Sequence, residues 1–284
     1  MAFHLAAASF PSDRPLIDWL LRGREVEVDL FTTAPSRLLE LLFADEVDAA
    51  LLPVIDFFRG VGTDLVPGVG IASYGGVGIV KLFTRVPPVA IERVAVDAAA
   101  QTSVALLRIV LADLCGVRPD LHVVKHLPDD VFKASDSILL CGERCFEMEA
   151  SLRRESTTGV HMLDLGKLWE RMTKLPLVHS VWTLGSRFSH EATDAQRREL
   201  ISILVRSRDI GVSNLDTIIA REAASGRPGP GGEATPAAWR RYYRQALGFV
   251  LGEEEILGLS RFYELCLQHA VCPAGRCAGF AAAS

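Results

Sequence analysis

Nothing in this chain approaches the roughly 20 consecutive apolar residues that a membrane-spanning helix needs, although 49% of its 284 residues are hydrophobic. A basic excess is missing as well. The net charge is −5 and the isoelectric point is near 5.8, which excludes broad electrostatic attraction to nucleic acid. The opening stretch MAFHLAAASFPSDRP has neither the basic start nor the long apolar middle of a secretory signal. A cytoplasmic protein without membrane partners is therefore expected. H-E-x-x-H, G-x-S-x-G, paired C-x-x-C and G-x-x-x-x-G-K-[ST] are all absent. Hydrolytic zinc chemistry, a serine-nucleophile elbow and a nucleotide P-loop lose their support with them. There is no internal repeat.

What is present is an alternation of short β-type runs with stretches of helical period. Strands are expected at 3–8, 26–31, 47–52, 65–72, 78–84, 93–97, 120–124, 137–141, 160–163 and 177–183. Helices are expected at 15–22, 35–44, 103–115, from 143 onward and at 165–172. Such alternation predicts an α/β protein with parallel sheets and helices on both faces. Beyond residue 190 four amphipathic helices follow, at 193–208, 213–224, 236–248 and 253–271, the middle two separated by the flexible SGRPGPGGEATP. Their apolar faces suit either wrapping of a lobe or pairing with a second copy.

Three junctions draw attention as ligand sites. In parallel α/β sheets, ligands gather beyond the carboxyl ends of strands, where helix N-termini offer free N–H groups and the positive end of a dipole. The stretch VAVDAAAQTSVALL passes from a strand into a helix through Gln101-Thr102-Ser103. Thr102 or Ser103 can cap that helix and also offer a hydroxyl to a carboxylate. Ser36 heads the helix beginning near residue 36, and Cys141-Gly142-Glu143 follows another strand. Together they suit a small acidic ligand; equally, all three are consistent with plain N-caps. SYGGVGIVKL (73–82) carries three glycines in six residues. It reads as a tight turn bringing the Ser73, Tyr74, Gly75 and Gly76 backbone close to a ligand, with a simple hairpin as the alternative.

Of the histidines, His179 in PLVHSVW stands out, because its strand is a candidate connection between two lobes. Cys266, His269, Cys272 and Cys277 form a C-x2-H-x2-C-x4-C series. It fits no familiar zinc module, and a helix followed by a frayed tail explains it as well. No metal or cofactor is expected.

Several stretches coincide in order with one family. PSRLLELLFADEVDAALLPVIDFFRG (35–60), VPGVGIAS (66–73), VKLFTRVP (80–87), QTSVALLRIVLADLCGVRP (101–119), LCGE (140–143), LDLGKLWERMTKLPLVHSVW (163–182) and GFVLGEEEILGLSRFYELCLQHAV (248–271) resemble chorismate dehydratases of the futalosine route to menaquinone. The resemblance implies a two-lobed, periplasmic-binding-protein-like (type II) fold with C-terminal helices. Its lobes would be 1–86, 87–177 and a return segment 178–284, with crossings near 84–88 and 176–180. It also implies a carbon–oxygen lyase that dehydrates a cyclohexadiene dicarboxylate to 3-[(1-carboxyvinyl)oxy]benzoate, with no metal or nucleotide.

Two stretches depart from that family. Ser12, in SFPSDRPL, stands where it has Asn. In YGGVGI, Tyr74, Gly76 and Ile79 stand where it has Asp, Pro and Ser. Ser12 keeps a hydroxyl without an amide's second function, and Ile79 neither donates nor accepts. Thr102 and Ser103 match the family's Thr-Ser. Three readings follow: a dehydratase using Thr102 and Ser103 as carboxylate anchor with Ser12 and the 73–78 backbone at the ring; a paralogue with another reaction, using His179 and perhaps Tyr74; and a non-catalytic binder of small carboxylates.

Overall fold

The structure, a computed structural model, describes residues 2–22, 27–76, 78–97, 101–124, 132, 134–155 and 159–274. Two compact units divide the chain. The first comprises residues 1–72, 178–218 and 247–284, the second 73–177 and 219–246. Among the described residues no helix is long and apolar enough to cross a membrane.

The first unit is built on a six-stranded sheet. Its strands are β1 (Phe3–Ala7), β2 (Val28–Thr32), β3 (Ala49–Pro53), β4 (Leu65–Ser73), β10 (Leu177–Leu184) and β11 (Leu247–Gly248), in the order β11-β4-β10-β3-β1-β2. β1 pairs in parallel with β2 and β3, whereas β10 runs antiparallel to β3. Helices α1 (Arg14–Ile17), α2 (Pro35–Phe43), α3 (Val54–Phe58), α7 (Ser186–Glu191), α8 (Asp194–Ser213) and α11 (Glu253–Gln268) accompany it. α2 shows how the sequence works: Pro35 starts it at a position needing no N–H, and Leu38 and Leu42, four apart, bury one face. Those leucines join Ala6, Ala50, Leu52 and Val61 in one apolar cluster.

The second unit holds β5 (Val80–Thr84), β6 (Arg93–Asp97), β7 (Asp120–Val124), β8 (Ser137–Cys141) and β9 (His161–Asp164), in the order β7-β6-β8-β5-β9. β6 is parallel to both β7 and β8, while β5 is antiparallel to β8 and β9. Its helices are α4 (Gln101–Cys115), α5 (Glu143–Arg154), α6 (Leu165–Thr173) and α10 (Pro236–Arg241). Helix α9 (Leu215–Ala224) spans the passage of the chain at residues 218–219.

Both sheets are thus mixed rather than parallel as expected. Only strands joined by a crossover within one sheet are driven to run parallel. β5 and β10 are the first strands after the chain passes between units, so that constraint does not reach them. Because β5 pairs with β8 and β9, residues 73–86 go with the second unit, where the sequence reading put them with the first. Residues 219–246 join them there. The helix expected at 236–248 stops at Arg241, gives way to a π-turn over Tyr242–Ala246, and ends in β11. The wider turn lets the consecutive Tyr242 and Tyr243 both bury. Trp239 and Tyr242 also meet Phe146 of α5 edge-on, at 5.9 and 5.8 Å between ring centres.

Candidate functional site

The order β7-β6-β8-β5-β9 contains a reversal. From β6 the chain leaves through α4 to β7 on one side, and from β8 through α5 to β9 at the opposite edge. β6 and β8 lie side by side and parallel, with Val94 beside Ser137 and Val96 beside Leu139. Their carboxyl ends therefore stand together, and the helices that follow begin there. A reversal of this kind opens a crevice at the strand ends, lined by helix N-termini suited to an anion.

Five side chains furnish this place. Thr102 and Ser103 lie in the first turn of α4; since the helix begins at Gln101, neither is its N-cap, as the sequence reading had allowed. Thr102 is 9% exposed, and its Oγ1 has no hydrogen-bond partner among the described residues. A buried, unpaired hydroxyl costs roughly 1–3 kcal/mol. Ser103 is hydrogen-bonded to Cys141, whose thiol is pushed up to about 12, first by burial and then by the Asp97 carboxylate. Cys141 is therefore a thiol at neutral pH and no nucleophile. Arg144, in the first turn of α5, forms an ion pair with Asp97 at the end of β6 and so links the two junctions. Gly142, the N-cap of α5, has φ 61° and ψ −140°. A Cβ there would meet no atom within 4 Å, so the backbone conformation alone explains the glycine. Its N–H donates to the carbonyl of Ile79 at 2.7 Å.

The glycine loop is not a hairpin, and its far end, Ile79, is held by the Gly142 N–H at the head of α5. It joins β4 of one sheet to β5 of the other. Ser73 is buried, while Tyr74 is exposed and donates its backbone N–H to Ala246. Tyr74 and Gly76 line a cavity of about 370 Å³ with Lys81, Asp164, Arg241 and Tyr242; neither Thr102 nor Ser103 reaches it. Gly75 has φ 69°, and a Cβ on it would come within 2.9 Å of Glu170 Oε2. The Asp164 carboxylate accepts the N–H of Gly78 at 2.8 Å. The glycines let this loop pack tightly on the head of α6. Ile79 is 7% exposed.

In the first unit, Ser12 and His179 stand at the end of the sheet where β1 and β3 finish. Ser12 is in a 3-10 turn, Pro11–Asp13, and donates to Asp13 Oδ1 at 3.2 Å. Ser180 pairs with Pro53, so His179 neighbours the carboxyl end of β3. Burial holds its imidazole down to about 4, neutral and weakly basic at physiological pH. Ser36 is exposed in the first turn of α2, and Ala34 rather than Ser36 is the N-cap. Cys266 and Cys272 are hydrogen-bonded to each other. Among the described residues no three metal-ligating side chains converge, and Cys277 lies outside those residues.

Residues 3–268 match the profile of a family described as menaquinone biosynthesis. The chain belongs to that family. A chorismate dehydratase from Thermus thermophilus is 28% identical over 200 residues, 66% of this chain and 71% of its own. Among solved structures, a protein from Archaeoglobus fulgidus superposes with TM-score 0.69 at 16% identity, covering 95% of this chain and 98% of its own. The periplasmic aliphatic sulphonate binding protein SsuA from Escherichia coli does so with TM-score 0.63 at 14% identity, covering 96% and 88%. The fold of this menaquinone biosynthesis family member is thus periplasmic-binding-protein-like.

Sequence reading of the family member passed over two residues. Arg144 carries no motif, and only the adjacency of β6 and β8 brings it to Asp97. Asp13 follows Ser12 in the sequence and belongs to no motif. It is 3% exposed, and burial raises its carboxyl to about 6 against the pull of the Phe10 N–H, the Ser12 hydroxyl and Arg14. A buried-carboxylate signal of this kind has no local sequence signature.

Proposed function

We propose that this protein is a cytoplasmic hydro-lyase of the chorismate dehydratase type. Its substrate is chorismate or a related cyclic enolpyruvyl acid, and its product 3-[(1-carboxyvinyl)oxy]benzoate. The observation that carries the reading is Thr102 Oγ1, buried and unpaired where α4 begins beside the head of α5. A substrate carboxylate would accept from that hydroxyl and from free N–H groups of the first helical turn, with the Arg144 cation nearby. The sulphonate recognised by one structural neighbour is likewise a small anion.

The reaction balances without a redox partner. A ring C–H and a ring C–O bond break, a ring double bond forms, and the proton and hydroxyl leave as water. Aromatisation supplies the driving force. What remains for the protein is to hold the ring in one orientation and favour departure of the hydroxyl. Thr102, Ser103 and Gly142 take the carboxylate in this reading, and Ser12 supplies the hydroxyl toward the ring. Ser36, Ser73, Tyr74, Gly75 and Gly76 contribute polar and backbone contacts in this reading.

A second reading, a paralogue with another reaction or a binder without turnover, draws on Ile79. That side chain is apolar and buried where the family has a serine. One experiment separates the two. Purified protein incubated with chorismate should gain the ultraviolet absorbance of a substituted benzoate. Calorimetric binding of chorismate with no such absorbance would end the dehydratase reading and favour the second, in which His179 is the replacement base to examine.

A further inference from the structure

The turn after β1 closes around a buried carboxylate. Asp13 Oδ2 accepts the backbone N–H of Phe10 at 3.1 Å, and Asp13 Oδ1 accepts the hydroxyl of Ser12 at 3.2 Å. Asp13 N–H in turn donates to Phe10 O at 3.0 Å, so the turn closes on itself and fixes the carboxylate. Asp13 is buried, whereas Ser12 is half-exposed. A serine hydroxyl has one proton and two lone pairs. With its proton committed to Asp13, Ser12 has only lone pairs left to offer.

We propose that Asp13 is the positioning residue for Ser12: while Asp13 is a carboxylate, Ser12 acts outward as a hydrogen-bond acceptor, and when Asp13 takes a proton the Ser12 hydroxyl is freed to donate. The chain then has a serine whose polarity toward a ligand is set by its neighbour, where an asparagine amide would offer donor and acceptor together. This rests on the reading that Ser12 meets the substrate. It deepens that reading by giving the ring-side group a preferred partner: a ligand hydroxyl when Asp13 is ionised, and a carboxylate or carbonyl oxygen when it is protonated.

Arg14, next in the chain, is the charge acting on Asp13 through space, and it also pairs with Asp18 at 3.7 Å. Helix α8 packs on α1 and carries Arg206 and Arg208. Arg206 lies over the Trp19 ring at 5.1 Å, and Arg208 reaches Asp209 and the carbonyl of Gly68. Ser207 donates to Leu16 O. A carboxyl so enclosed, poised near pH 6, changes charge within the physiological range.

The test has two arms on the intact protein. In the first, the side-chain carbonyl of Asp13 is followed by carbon NMR against pH in wild type and in Ser12→Ala. The expected midpoint near 6 should rise by at least half a pH unit in Ser12→Ala, because the hydroxyl favours the ionised form. An unmoved midpoint overturns the proposal, whatever chorismate does. In the second arm, chorismate binding is measured by calorimetry between pH 5 and 8 in wild type, Asp13→Asn and Ser12→Ala. Wild-type affinity should change about tenfold across pH 6, and both variants should lack that inflection. If Asp13→Asn keeps the wild-type inflection, the positioning role fails. If the NMR midpoint moves while Ser12→Ala binds and turns over chorismate like wild type, the pair stands and the placement of Ser12 at the substrate falls.

Discussion

Asp164 ties two backbone segments of the second unit together: Oδ2 accepts the N–H of Gly78 at 2.8 Å, and Oδ1 accepts the N–H of Lys167 at 3.2 Å. One carboxylate thereby caps α6 and clamps the glycine loop onto it. The tight fit of Gly166 against Gly75 O, where a Cβ would come within 2.6 Å, belongs to the same contact.

Replacing Asp164 by alanine removes a helix cap and strands the N–H of Gly78. Each loss is worth about 1 kcal/mol, so Asp164→Ala should destabilise the protein by roughly 2 kcal/mol in urea titration. Amide exchange should speed most at Gly78 and in the first turn of α6. Unchanged exchange at Gly78 would mean that the loop is held by other contacts.

Thr102→Val separates function from stability. The methyl fills the space of a hydroxyl that has no partner, so the variant should be as stable as wild type or up to about 1 kcal/mol more stable. Its affinity for chorismate should fall by roughly tenfold or more, the worth of a hydrogen bond to a charged group. Parallel loss of stability and binding would mark Thr102 as merely structural.

Asp13 gives stability a definite pH dependence. Its folded pKa, about 6, lies above the ordinary aspartate value of 3.8, so the folded state holds the proton more tightly than the unfolded chain. That contribution is complete below pH 3.8 and is lost as pH rises through 6; its size is on the order of 3 kcal/mol. Asp13→Asn should therefore gain on wild type between pH 4 and pH 7 in denaturant titrations. A constant difference over that range would contradict the burial of the charge.

His179 acts in the opposite sense. Its pKa falls from 6.5 unfolded to about 4 folded, so its contribution is complete above pH 6.5 and is lost as pH drops through 4. The amount at stake is roughly 3 kcal/mol. His179→Gln should remove that acid lability, leaving a flatter stability profile between pH 6.5 and pH 4 than wild type shows. Reaction rate should be little altered if the dehydratase reading holds, and strongly reduced if His179 is a base.

Much of the architecture was legible because burial writes a period into the chain. Leu38 and Leu42 at helical spacing announce α2, and the apolar run at Ser137–Cys141 announces β8. Strand direction was not legible, since β5 and β10 have the same apolar pattern whether they pair parallel or antiparallel. Thr102 and Ser103 were found from a strand-to-helix junction, a local signal. Arg144 and Asp13 were missed because their roles arise from a neighbouring strand end in one case and from enclosure in the other.

The sequence alone determined the α/β class, the position of most strands and helices, and the junctions that expose backbone N–H groups, all properties of neighbours along the chain. Only the tertiary structure decided which junctions share a place. It set β6 beside β8, so that the head of α4, with Thr102 Oγ1 unpaired, and the head of α5, with Arg144, follow neighbouring strand ends, and it bonded Gly142 to Ile79 at the end of the glycine loop. The physical reason is that hydrogen-bond satisfaction and desolvation depend on what surrounds a group in space, and no local pattern of residues encodes that.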